Sequence, residues 1–116
     1  MRPGELYLVD FGAPTRGFEQ ANVRPAMVVH SDGFRVPNLA IVCPITKAER
    51  GVPNHIAIVP SPESGLDHPS YVMTEQIRAV DQRFVAARLG VAPREVTDTV
   101  LRILRWRILA APRAGN

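Results

Sequence analysis

The sequence predicts a mainly β domain of the α+β class, a small barrel or sandwich closed by one amphipathic C-terminal helix. Three observations point there. Six short β-leaning segments, separated by Gly-, Pro-, Asn- and Ser-containing turns, occupy the chain up to Val91. A 3.6-residue apolar period appears only after them. The length of 116 residues suits one core and not two, and a domain of this size removes roughly 65% of its unfolded surface from water without needing metals or bridges. A single domain over 1–111 with a frayed tail at 112–116 is therefore expected.

The elements follow in order. Glu5–Asp10 (ELYLVD) is the first strand, followed by a loop from Phe11 to Asn22 that contains two glycines and a proline. Arg24–His30 is the second, beginning beside Pro25, which a central strand position tolerates poorly. The third, Asn38–Cys43, is nearly all apolar, which predicts burial on both faces and an end at Pro44. After the loop Ile45–Pro53 come His55–Val59, then Tyr71–Thr74 and Phe84–Val91. The helix starts near Pro93, which favours a first turn, with Glu95 complementing the positive N-terminus and Ala92 a weak cap. Val96, Val100, Ile103, Leu104 and Ile108 form its apolar stripe, opposite Arg94, Asp98, Arg102 and Arg105. Trp106 and Leu109 sit off that stripe, as flank packing or as a contact with a second copy.

Composition excludes several functions. The lone Cys43 closes no intrachain disulfide, and three histidines on separate segments make no zinc cluster, so neither metal nor cofactor is expected. Cys43 itself lies in the most apolar strand, where a small buried hydrophobe is the expected role. Walker, GxGxxG, GxSxG, HExxH and EF-hand patterns are all missing. No charged segment followed by an apolar one opens the chain, and no apolar run exceeds six residues, so a cytoplasmic location away from membranes is expected. Net charge is +3, with thirteen arginines to one lysine. The charge is uneven: residues 1–77 sum to −2 and residues 78–116 to +5. Five of the eight basic residues after position 77 stand at or beyond Arg94, on the helix and tail.

The polar residues that remain gather at loop and strand boundaries, where function concentrates. In order they are Gly17-Phe18-Glu19-Gln20, Arg24-Pro25-Ala26, Pro44-Ile45-Thr46, Gly51-Val52-Pro53 and Glu75-Gln76-Ile77-Arg78. With the opening Gly4-Glu5-Leu6-Tyr7 and the terminal helix, this ordered set over residues 2–109 resembles the MazF/PemK-type toxins, the endoribonuclease half of bacterial toxin–antitoxin pairs. The resemblance implies an SH3-like barrel of the CcdB/PemK type, a homodimer, single-stranded RNA as substrate and a cognate MazE-type antitoxin. It also implies 2′-oxygen attack without a metal, leaving 2′,3′-cyclic phosphate and 5′-hydroxyl ends. Two other readings use the same fold: a CcdB-like gyrase poison that acts by protein contact, and a degenerate member that binds RNA or antitoxin without cutting.

By resemblance Arg24 and Thr46 are the catalytic pair, joined by Glu19. Chemically, the guanidinium suits the phosphorane's extra charge and the threonine hydroxyl a non-bridging oxygen. Glu19 is the one base of the three, or else an acceptor for a base edge. Taken singly, Arg24 also suits a strand-end ion pair with Glu19 or Asp10, and Thr46 a loop cap. Phe11, Gly17, Phe18, Gln20, Lys47, Arg50, Gln76 and Arg78 are the RNA-binding candidates, as stacking planes, donors and base-edge partners. Phe18 replaces the family's usual serine before Glu19, and Lys47 replaces a small hydroxyl residue after Thr46. Both changes bear on the cleavage sequence more than on the chemistry.

Overall fold

A computed structural model describes residues 1–12 and 22–110. The tail expected to fray lies outside the described residues. The strands are β1 (Glu5–Asp10), β2 (Val23–Val28), β3 (Leu39–Thr46), β4 (His55–Ile58), β5 (Ser70–Met73), β6 (Arg78–Asp81) and β7 (Val85–Val91), followed by α1 (Arg94–Ile103). All pairings are antiparallel, in the order β4-β5-β3-β2-β1-β7, with β6 on the other edge of β3. The fold is mainly β with one C-terminal helix, as the sequence predicts.

The curl follows from connectivity. In the path β6-β3-β2-β1-β7 the two outer strands are consecutive in the chain and joined only by the 3₁₀ turn Gln82–Phe84. So short a link draws the two edges together. Register shifts in the β1–β7 pair, between Leu6 and Tyr7 and between Leu8 and Val9, add the local twist that such curvature needs.

Two features differ from the sequence expectation: β3 does not end at Pro44 but runs on to Thr46, and a further strand, β6, starts at Arg78, the last residue of the Glu75–Arg78 motif. Pro44 survives inside β3 because the strand changes partner there: Leu39–Val42 pairs with β6, Ile45–Thr46 with β5, and Ala26↔Pro44 is the last pair with β2. A missing N–H costs little where a ladder is interrupted. Pro25 is tolerated likewise, facing Leu8 on β1 one residue beyond the last β2–β3 pair.

β3 is buried on both faces, as its apolar run predicts. On one face Leu6, Met27, Cys43, Ile45, Ile58 and Val72 pack against Val100 and Leu104 of the helix. On the other, Val9, Ala26, Val28, Ala40, Val42 and Val80 fill the curled sheet, with Tyr7, Phe11 and Val85 at the margin. The helix lacks a side-chain cap: Pro93 takes the N-cap place expected of Ala92, and its carbonyl accepts from the N–H groups of Val96 and Thr97. It ends in a π turn, Leu104–Ile108, closed by Leu109 N–H to Leu104 O at 2.7 Å. That turn leaves Trp106 69% exposed, so the ring does not pack against a flank. No described helix is long and apolar enough to cross a membrane.

Candidate functional site

Antiparallel order brings the end of β1, the start of β2, the end of β3 and the start of β6 to one rim of the sheet. Side chains alternate along a strand, so residues two apart share a face. Arg24 precedes Ala26 by two, Thr46 follows Val42 by four, and Arg78 precedes Val80 by two. All three therefore continue the face of the second apolar cluster out to the rim, where Phe11 packs against it. β2–β3 pairing ends at Ala26↔Pro44, and Arg24 and Thr46 each stand two residues beyond it at the same rim.

The local contacts define what each group has left to offer. Arg24 Nε donates to Asn22 Oδ1 at 2.8 Å, which fixes the guanidinium plane and leaves the two terminal amino groups without a hydrogen bond to any described residue. The ion pair with Asp10 considered for Arg24 does not form. Thr46 Oγ1 accepts from Ala48 N–H at 3.1 Å, so it caps its loop and still keeps its own hydroxyl proton. Thr46 also stands at the lip of a cleft of ≈ 340 Å³, with Leu8, Pro25, Lys47 and Leu66. Arg78 lies over the Phe11 ring, Cζ 5.2 Å from the centroid, a cation–π pair between two RNA candidates.

The loop that carries Gly17, Phe18, Glu19 and Gln20 lies outside the described residues, but its base does not. Phe11 N–H donates to Asn22 O at 2.9 Å and Asn22 N–H to Gly12 O at 3.2 Å, so the loop leaves and re-enters the sheet at this rim. Lys47, Arg50 and Gln76 are exposed, and none is tied by hydrogen bond or ion pair to Arg24 or Thr46 among the described residues. Glu75 turns away from the rim. It accepts from His55 Nε2 at 2.8 Å, with the imidazole 4% exposed. Burial raises the Glu75 pKa, but the hydrogen bond from His55 and the neighbouring backbone outweigh it and hold the carboxyl below its ordinary value. Cys43 is inert as expected: burial, then the charge of Glu75, pushes its thiol up to about 12. Sequence reasoning missed Asn22, read only as the end of a loop; its two-residue spacing before Arg24 was the available signal.

A model of the PemK-like, MazF-like toxins of type II toxin–antitoxin systems matches residues 2–108. The chain belongs to that family. Endoribonuclease EndoA of Bacillus subtilis (strain 168) is 31% identical over 103 residues, covering 86% of this chain and 87% of that protein. Endoribonuclease MazF of Staphylococcus epidermidis is 33% identical over 92 residues, covering 77% and 75%. Among solved structures, MazE–MazF from Deinococcus radiodurans superposes with a TM-score of 0.72 at 28% identity, covering 92% of this MazF-like chain and 96% of that one. The rim that carries Arg24 and Thr46 is thus part of a PemK/MazF fold matched over nearly its whole length.

Proposed function

We propose that this MazF-like toxin is an endoribonuclease that cuts single-stranded RNA at the Arg24–Thr46 rim. What supports the reading is that both residues stand at one rim, just beyond the last β2–β3 pair and each with donors left over, in a family whose curated relatives bear the name endoribonuclease. In the step proposed, the ribose 2′-oxygen forms a bond to phosphorus and the bond from phosphorus to the 5′-oxygen breaks. The products are a 2′,3′-cyclic phosphate and a 5′-hydroxyl. The two terminal amino groups of Arg24 hold the phosphorane's non-bridging oxygens and face the departing oxygen, and the Thr46 hydroxyl adds a further donor. Glu19, on the loop sprung from this rim, supplies the carboxylate that takes the 2′ proton, and the departing 5′-oxygen takes its proton from solvent water as it leaves. Phe11, Phe18 and Arg78 offer planes for bases, Gly17 a close backbone approach, and Gln20, Gln76, Lys47 and Arg50 polar and cationic contacts along the strand.

The step uses no metal. The remaining parts of the proposal are a cytoplasmic site of action, a homodimer formed with a second copy, and neutralisation by a cognate antitoxin whose acidic segment folds over the cationic rim. The exposed Trp106 and Leu109 are consistent with a surface that another chain covers. The test is kinetic: Arg24→Ala should lower kcat on a long single-stranded RNA by roughly 10²–10³-fold with circular dichroism unchanged. Undiminished cleavage by that variant would remove Arg24 from the mechanism.

A further inference from the structure

Next to the Arg24–Thr46 rim, the far side of Arg78 opens into a smaller cleft of ≈ 190 Å³, lined by Asp10, Phe11, Arg78, Asp81 and Phe84 among others. We propose that this cleft is a nucleobase subsite that admits bases bearing an exocyclic amino group and rejects uracil, with Asp10 reading the base and Phe84 forming one wall. The inference rests on the RNA-cleavage reading above and adds a selectivity to it.

The walls are aromatic and held in place. Phe11 lies under Arg78, and Phe84 lies under the Arg83 guanidinium with Cζ 5.6 Å from its centroid. Phe84 is 47% exposed, a large ring left uncovered on a turn of three residues. The residues that lead into Phe84 are held by hydrogen bonds. Asp81 Oδ1 accepts from Arg83 N–H at 2.9 Å and its Oδ2 pairs with Arg83 Nη2 at 3.1 Å. Gln82 donates from its backbone to Asn38 O at 2.8 Å and from Nε2 to Leu39 O at 3.0 Å. A rigid aromatic wall suits stacking, which accepts any base. Selection must therefore come from the polar groups.

The two carboxylates in the cleft differ. Asp81 is consumed by Arg83. Asp10 uses Oδ1 to accept from Gly12 N–H at 2.8 Å, whereas its Oδ2 meets no hydrogen-bond donor among the described residues. An ionised carboxylate only accepts, so Asp10 favours a base edge that donates. Cytosine, adenine and guanine each present an amino group. Uracil presents two carbonyl oxygens around a single N–H and sets lone pairs against the carboxylate. Arg78 at the edge of the cleft and Arg24 on the rim take the phosphate, and Asp10 takes the base beside it.

The test maps the 5′ ends of fragments that the wild-type protein cuts from a long mixed-sequence RNA. One position of the cleaved motif should exclude uracil. Short RNAs are then compared at that position, cytosine against uracil or adenine against inosine, each pair exchanging the amino group for a carbonyl. Wild type should favour the amino base by roughly tenfold or more in kcat/KM. Asp10→Asn keeps the bond from Gly12 and should reduce that ratio to about threefold or less. Phe84→Leu should raise KM for both members of a pair alike. If Asp10→Asn cuts neither RNA, binding of the same pairs carrying a 2′-deoxy sugar at the cut site gives the same comparison. A motif with no uracil-excluding position, or an unchanged ratio in Asp10→Asn, overturns the subsite while leaving the nuclease reading intact. A wild-type protein that cuts no RNA overturns both.

Discussion

Removing the side chain of Asn22 tests whether the Arg24 guanidinium must be aimed. Asn22→Ala deletes the 2.8 Å acceptor of Arg24 Nε but keeps the two backbone hydrogen bonds, to Phe11 and Gly12, that close the base of the loop. A hydrogen bond to a charged group contributes about 1.5–3 kcal/mol. Arg24 is only half-buried on an open rim, so the lower end applies, and about 1.5 kcal/mol of transition-state stabilisation is roughly tenfold in rate. The expected outcome is a kcat about tenfold lower on a fluorogenic single-stranded RNA, with KM nearly unchanged, because the phosphate is gripped less tightly only as its charge grows. Asn22→Asp keeps an acceptor and should retain most of the rate. In an Arg24→Ala background the Asn22→Ala change should cost almost nothing, since the group it positions is gone. A kcat within about twofold of wild type, or an Asn22→Asp no better than Asn22→Ala, would refute the positioning role.

Other predictions concern the scaffold. Gly65→Ala should lose more than about 3 kcal/mol in chemical denaturation: its φ of 71° is left-handed, and an added Cβ would sit 2.1 Å from Leu89 O. Val100, fully buried between helix and sheet, should cost roughly 2–3 kcal/mol as Val100→Ala. Glu75 contributes stability that is present above its unfolded pKa and lost as pH falls through its depressed folded value, so Glu75→Gln should flatten the fall of Tm below about pH 4.5. Native Cys43, its thiol at about 12, should resist alkylation at neutral pH, and Cys43→Ala should leave RNA cleavage unaffected.

The parts of the fold that follow from apolar period were legible in the sequence. β1 has its expected bounds because ELYLVD is short, apolar and flanked by glycines, and the stripe Val96–Val100–Ile103–Leu104 does face the core. Proline misled where tertiary pairing decides. Pro44 looks like a terminator locally, and only the change of partner from β2 and β6 to β5 shows why a strand can pass through it. β6 was hidden because RAVD carries two charges in four residues, and its pairing with the apolar β3 supplies what its own composition lacks. At the site, Arg24, Thr46 and Arg78 stand in the motifs and Phe11 on the loop beside them, and antiparallel strand order explains why residues that far apart in the chain reach one rim. The sequence offers Asp10 only as the end of the opening segment and a partner for Arg24, and Phe84 only as the start of a strand; the cleft they share exists only in the fold.

The most direct test of the central claim is end-group analysis of a long single-stranded RNA incubated with purified protein in EDTA. The account predicts fragments ending in 2′,3′-cyclic phosphate and beginning with 5′-hydroxyl, formed roughly 10²–10³-fold more slowly by the Arg24→Ala variant. Intact RNA, or fragments with 3′-hydroxyl and 5′-phosphate ends, would contradict it.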